Sequence, residues 1–426
     1  MRDNLTNKLN QKYLYIFLVM TILLFVGIAF SLASPIEILR GIKQIVISRD
    51  ALITDYFRLA NYGSAFFNSA LMMILIVFII YRLQIPITGL TLAVFFINAG
   101  FALFGKNIIN GLPILAGTYL YAKIQGVSVK RYIYTGLFGT CLAPLVTEMV
   151  YLLPFSIVIN IALAILTGLL IGFILPSLAV HTASMHMGYS LFNVGFAAGI
   201  VGFIIVSILK AFGLESESIF IWEEGRPFWL IMLLYIYFLA TFIYGTWINK
   251  GNIKTAFKIL KHPGRAVADF ILMDGVGNTL INMSIVGTFC LTYILLIGGD
   301  LSGPVVGGIL TVFGFSAFGV HIKNYIPCIL GVYIAAYIKI FNPILPSIQL
   351  AALFSAGLSP IAGQFGVVAG IFAGILHTSI VTSTTEMYLG LNLYNNGFAA
   401  GFVAIIMIPV LESFMRKFEK RNLGRR

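Results

Sequence analysis

Charge is what this sequence has least of. Aspartate, glutamate, lysine and arginine together make up 10% of its 426 residues, where an ordinary globular chain carries roughly a quarter. That is too little polar surface to keep a folded domain of this size in water, so a soluble class is excluded. Cysteine is also scarce. Cys141, Cys290 and Cys328 stand singly inside apolar runs with no CxxC spacing. Such residues pack; they do not build a disulfide framework or a thiolate metal centre. The longest hydrophilic stretches, 212–227 and 249–268, leave no room for a soluble domain. No P-loop, HExxH, GxSxG or strand-linked GxGxxG occurs, so nothing points to ATP-driven work or to an enzyme, and no metal or cofactor is expected. The net charge of +12 sits in short loops and in the tail. There it sets membrane orientation and calls for no nucleic acid.

What is present is hydrophobic length. Apolar residues make up 59% of the chain, and mean hydropathy is +0.98. One run of about 20 such residues crosses a bilayer. Runs fall at 13–33, 63–81, 87–104, 108–122, 131–152, 155–176, 191–211 and 228–248, then at 273–297, 303–320, 322–340, 347–364, 366–384 and 391–411. The fold class is all-α, a polytopic transmembrane bundle of about 12–14 segments. The stretch 36–58 mixes aliphatics with Glu37, Arg40, Lys43, Arg49, Asp50, Asp55 and Arg58, and reads as an interfacial amphipathic piece. Tyr13–Leu32 is longer than the roughly 7–15 residues of a signal-peptide core, and no Ala-x-Ala follows it, so it is expected to stay as an anchor.

The chain is duplicated. Residues 55–121 overlie 269–335 without a gap, matching Asp55 to Asp269, Gly63 to Gly277, Asn68 to Asn282 and Gly89 to Gly303. The register carries Gly100-Phe101 onto Gly314-Phe315, Phe104-Gly105 onto Phe318-Gly319, and Asn110, Pro113, Gly117 onto Asn324, Pro327, Gly331. After a slip, Leu137-Phe138 and Pro144 match Leu353-Phe354 and Pro360. Gly-Phe-Ala-Ala-Gly recurs at 195–199 and 397–401. Shared hydrophobicity aligns apolar residues with one another; it does not align Gly, Pro and Asn in this order.

Basic loops favour the cytoplasm. Arg2, Lys8 and Lys12, the 123–131 loop, the run Lys250, Lys254, Lys258, Lys261, Arg265 and the tail all qualify. Glu215, Glu217, Glu223, Glu224 and Asp300 suit the outside. Counting spans between these marks, helix 228–248 is the odd crossing that turns the second repeat over, giving inverted repeats. The divisions are 1–54 (anchor and interfacial piece), 55–211 (first repeat), 212–268 (linker with one span), 269–411 (second repeat) and 412–426 (basic tail).

Inverted-repeat transporters hold solute at broken or re-entrant helices. One such break follows Gly100, with Gly105, Lys106, Asn107, Asn110 and Pro113; its twin follows Gly314, with Gly319, His321, Lys323, Asn324 and Pro327. Glycine permits the break, proline favours a restart, and asparagine satisfies freed backbone groups. The plainer reading makes these interfacial turns, with Lys106 and Lys323 reaching water. Asn68, Asn282, Asn193 and Asn395 complete the candidate solute-contacting set. His181, His377 and Glu148 are coupling candidates, since an intramembrane carboxylate or imidazole is costly unless used. The alternatives are structural hydrogen bonding for the histidines and a surface position for Glu148.

Ile53-Thr-Asp-Tyr56, Gly100-Phe-Ala-Leu-Phe-Gly-Lys-Asn107 and Gly195-Phe-Ala-Ala-Gly199 give nearly the whole chain a resemblance to a family of bacterial multi-pass membrane proteins known only as a domain of unknown function. Leu39-Arg-Gly-Ile-Lys-Gln44 is similar to the opening motif of bacterial urea transporters. Their Leu-Pro-x-x-Thr-x-Pro-Phe signature is not intact at Leu175-Pro176. These readings point to a channel or secondary transporter for a small polar solute, anionic or amide-like, in a bacterial cytoplasmic membrane with both termini inside. Its partners are the solute and the lipid bilayer, with a homo-oligomer left open. A membrane-embedded enzyme or lipid-handling protein is the alternative, and a scaffold with a dry centre is the third class.

Overall fold

Backbone groups taken into hydrocarbon must bond within their own segment, so the apolar runs become helices. The computed structural model describes residues 2–50, 53–215, 219–338, 342–387 and 390–423, without the side chains of 2–8, 385–386 and 416–423. Glu217 and the basic side chains of Arg2, Lys8 and the tail therefore lie outside the described residues.

The first half runs α1 (Arg2–Leu32), α2 (Pro35–Ile47), α3 (Tyr56–Leu59), α4 (Tyr62–Arg82), α5 (Gly89–Phe101), α6 (Ile108–Ile124), α7 (Ile133–Gly139), α8 (Ala143–Leu152), α9 (Ile157–Met185) and α10 (Asn193–Ala211). The second runs α11 (Phe228–Ile248), α12 (Phe270–Asp274), α13 (Val276–Leu296), α14 (Gly303–Phe315), α15 (Ile322–Ile338), α16 (Pro346–Phe354), α17 (Ser359–Phe365), α18 (Val367–Met387) and α19 (Asn395–Leu423). Ten described helical segments are long and apolar enough to cross a membrane, and Gly89–Phe101, Gly303–Phe315 and Ile322–Ile338 are shorter apolar helices. This is a multi-pass membrane protein. The described strands, β1 (Ile53–Thr54) and β2 (Phe220–Ile221), form one short parallel pair. The α2 helix buries Ile38, Gly41 and Ile45 and turns Glu37 and Arg40 outward, as an amphipathic surface helix should.

Packing repeats between the halves. Gly63 of α4 seats on Ala29 of α1 and Ala33 just past it, as Gly277 of α13 seats on Gly245 of α11 and Asn249 just past it. Helix 228–248 thus stands to the second half as the opening helix stands to the first. Gly117 and Gly172 bring α6 against α9, and Gly331 and Gly374 bring α15 against α18. Small residues at such seams let membrane helices approach closely.

The α5–α14 pair lies at the centre and runs antiparallel. Gly89, at the start of α5, abuts Ala317 just past the end of α14; Gly303, at the start of α14, abuts Leu103 just past the end of α5. Between these ends Gly100 and Gly307 face each other, and a Cβ on either would collide with the other's carbonyl oxygen. Each helix start is held by the opposite half. Asp55 Oδ2 accepts from Gly303 N at 3.0 Å, while Asp269 accepts from Gly89 N at 2.9 Å and Leu90 N at 3.3 Å. A carboxylate at a helix N-terminus satisfies orphan amides and complements the helix dipole. At 13 residues each, these helices are about 20 Å long, short of the ~30 Å hydrocarbon core.

Gly307→Ala should push α5 and α14 apart and lower unfolding free energy in detergent by about 1–3 kcal/mol. Gly27→Ala, where nothing lies within 4 Å of the new carbon, should leave it unchanged. Equal denaturation midpoints for the two variants would contradict this packing.

Candidate functional site

The chain breaks after α5 and after α14, and both breaks are built alike. Asn68 Nδ2 donates to the carbonyls of Ala102 (2.7 Å) and Lys106 (2.8 Å); Asn282 Nδ2 donates to Ser316 (2.7 Å) and Val320 (2.9 Å). Asn110 Nδ2 reaches Gly105 O, and Asn324 Nδ2 reaches Gly319 O, where both glycines hold positive φ. Asn107 N and His321 N donate to the side-chain oxygens of Asn110 and Asn324 at 2.9 Å. The paired asparagines are thus spent on the freed backbone.

The two breaks do not come together. They cap opposite ends of the α5–α14 pair, about 20 Å apart, and aromatic rings fill the space between. Phe192 and Tyr394 meet at 5.1 Å, Phe101 flanks Tyr394 at 5.5 Å, and Phe315 flanks Phe192 at 4.8 Å. Leu393 covers Gly105, and Leu191 covers Gly319.

Other expected site residues separate as well. Lys323 is exposed, away from Lys106. His181 is exposed on α9, with its neighbour His186 turned inward to Asn193 Oδ1 at 2.9 Å. Asn193 and Asn395 accept from Thr182 and Thr384 and brace the two equivalent α9–α10 and α18–α19 corners. His377 is buried against Asn396. Glu148 is buried and ion-paired with Arg49.

What distinguishes the halves is chemistry at matched positions. Lys106 is fully buried, and its ammonium donates to Asn98 Oδ1 and Thr140 Oγ1. Among the described residues no carboxylate pairs with it. In the second half the same three positions hold Val320, Val312 and Ala356. An uncompensated buried cation is expensive, and the second half keeps the same backbone without one. Beside this break, Asp50 accepts from Tyr56 Oη (2.7 Å), Asn110 Nδ2 (3.0 Å) and Thr147 Oγ1 (3.2 Å). Burial pushes its carboxyl up to about 7, and pushes that of Asp55 up to about 6. Asp50, Asn98 and Thr140 belong to no sequence motif. Their visible signal was a polar residue facing Gly264, Val312 or Ala356 in the other repeat.

A 610 Å³ cavity opens between the halves at the Asp269 end. Tyr134, Phe138, His186 and Ser190 line it from the first half, Arg265 and Phe315 from the second, and Tyr394 closes its inner end. Among the described residues Ser190 Oγ and Tyr394 Oη are buried there without a hydrogen-bond partner, and a buried hydroxyl left unpaired costs about 1–3 kcal/mol. Among the described residues no three His, Cys, Asp or Glu side chains converge as metal ligands.

One protein-family model, described as "Protein of unknown function (DUF1576)", matches residues 34–211 and 248–413. No curated protein and no solved structure matches, so neither comparison supplies a relative with a known solute.

Lys106→Met should leave the folded protein intact. Replacing a buried charge by an apolar side chain of similar length is often neutral or stabilising, and the other half already carries valine here. The thermal midpoint of the purified variant should equal or exceed that of the parent, and a large drop would make Lys106 a structural residue.

Proposed function

We propose a transport function for this chain, which belongs to the DUF1576 family of proteins of unknown function: it is a secondary carrier for a small polar anion, built from two halves of opposite membrane orientation. The antiparallel run of the equivalent helices α5 and α14 supports the inversion. Charge supports its direction. Gln11 bonds both backbone groups of Ile87, which ties the start of α1 to the Asp269 end. That end also carries Lys250, Lys254, Lys258, Lys261 and Arg265. Asp300, bonded by Trp222 and Gly225, and Glu223, bonded to Asp55, mark the other end. By the positive-inside rule the Asp269 end is cytoplasmic, with both termini, in a bacterial plasma membrane.

The observation that carries the reading is the cavity between the halves with its two unpartnered hydroxyls. A solute group accepting from Tyr394 and Ser190 repairs both, and Arg265 at the mouth favours a negative one. Behind Tyr394, Leu393 N donates to Cys141 O, next to Thr140, which Lys106 Nζ reaches, so the Lys106 amine lies on the far side of the aromatic gate. A carrier of this kind rocks one half against the other about a fixed site. The conformation described is open at the cytoplasmic end.

One observation favours a second reading, a lipid-handling protein. A 600 Å³ cavity between α6, α8 and α9 is lined by Asn107, Asn110 and Thr147 and rimmed by the exposed Leu112, Ile157 and Ile161. It faces sideways, toward lipid.

Purified protein in liposomes should take up one class among small carboxylates, amides and cations, with carboxylates expected. Ser190→Ala and Tyr394→Phe should fold normally, since their hydroxyls bond no described residue, and should each raise KM about 5–30-fold, the equivalent of one lost hydrogen bond. No flux of any class through folded protein would overturn the proposal. Lipid transfer between vesicles without solute flux would favour the second reading.

A further inference from the structure

Asp50 lies outside the spanning helices, in the connection between α2 and β1, yet it is completely buried. Among the described residues no cation pairs with its charge, and the neighbouring Arg49 pairs with Glu148. Three neutral donors hold it instead, Tyr56 from α3, Asn110 from α6 and Thr147 from α8. The ionisable groups facing it are Tyr56, Glu148 and Tyr151.

The second half shows what this site needs structurally. There the matched residue is Gly264, and the amide of Asn324, twin of Asn110, finds its acceptor in the Pro263 carbonyl at 3.3 Å. Tyr56 and Thr147 correspond to Phe270 and Gly363. A backbone oxygen therefore suffices to hold this break, and the carboxylate with its hydroxyl donors is an addition made in one half only. The lateral cavity reaches Asn110 and Thr147, two of the three groups that bond it, so the site borders an open space.

We propose that Asp50 is a proton-binding site and the coupling group of the carrier. The step is a protonation: the carboxylate takes one proton from water to become a neutral carboxyl, whose new O–H donates to Thr147 Oγ1. Neutralisation weakens the hold of the site on Asn110. Asn110 also fixes the break through Gly105 O and Asn107 N, so the proton loosens the loop from which Lys106 projects. The coupling rests on the transport reading above; the proton site does not. The raised carboxyl, near 7 and caused by burial, agrees with exchange at physiological pH.

Two measurements on the full chain separate these parts. Infrared titration of the purified protein should show a carboxylic C=O band appearing as pH falls through about 7, absent from Asp50→Asn. Tyr56→Phe removes a donor to the charged form, so it should move that titration upward by about one unit, and it keeps the test open if Asp50→Asn does not fold. No band titrating between about pH 5 and 9, or one untouched by both variants, overturns the site. In liposomes loaded with a pH dye and offered the carboxylate panel, solute entry should carry protons in the parent. Proton movement with solute that persists in Asp50→Asn, or a dependence on sodium in place of pH, overturns the coupling. A band lost in Asp50→Asn with no solute flux in the parent upholds the proton site and rejects the transport reading.

The same group sets a pH dependence of stability. A carboxyl raised from 3.8 to about 7 on folding binds its proton more tightly in the native state, so its contribution is present below about pH 4 and is lost as pH rises through about 7. The thermal midpoint of the parent should fall across that window relative to that of Asp50→Asn.

Discussion

Two short helices that cannot end in water decide this architecture. The α5 and α14 helices stop inside the thickness of a bilayer, and each leaves amides at its start and carbonyls at its end. An unsatisfied backbone group in hydrocarbon costs several kcal/mol. The chain meets that demand by exchange. Asp55 of the first half caps α14 of the second, Asp269 of the second caps α5 of the first, and the asparagines Asn68 and Asn282 take up the carbonyls at the far ends. Neither half is complete alone. Antiparallel contact between Gly100 and Gly307 then draws the two units into one body.

This exchange dictates where polar groups are found. Polar groups gather at the two breaks, on opposite ends of the pair, and the middle is left to Phe101, Phe192, Phe315 and Tyr394. The duplication makes the scaffold symmetric, so departures from symmetry stand out. Lys106 opposite Val320, Asp50 opposite Gly264 and Thr140 opposite Ala356 are additions that the shared backbone does not require.

Much of the fold was legible beforehand because its signals are strong ones. Long apolar runs fix the membrane class, and Gly, Pro and Asn at equal spacing fix the repeat, since each marks a backbone need that both halves share. The same spacing also marks residues that both halves need for structure. Residues kept in both halves, such as Asn68, Asn282, Asn193 and Asn395, serve the breaks and corners common to both. Lys323 looked like a partner of Lys106 by its proximity to the break, but helical phase turns it outward, matching Ile109 in the first half, which is also exposed. Asp50 was hidden in an amphipathic stretch, where a carboxylate is ordinarily on the solvent face. Only the folded chain, which closes Tyr56, Asn110 and Thr147 over it, shows that it is buried.

The central claim is that equivalent parts of the two halves look to opposite sides of the membrane. Single cysteines at Glu224 and at Lys254, in a chain whose Cys141, Cys290 and Cys328 have been replaced, probe it directly through a membrane-impermeant thiol reagent on whole cells. Labelling of the Glu224 site from outside, and of the Lys254 site only after the membrane is opened, is the predicted result. Labelling of both sites from the same side would contradict it.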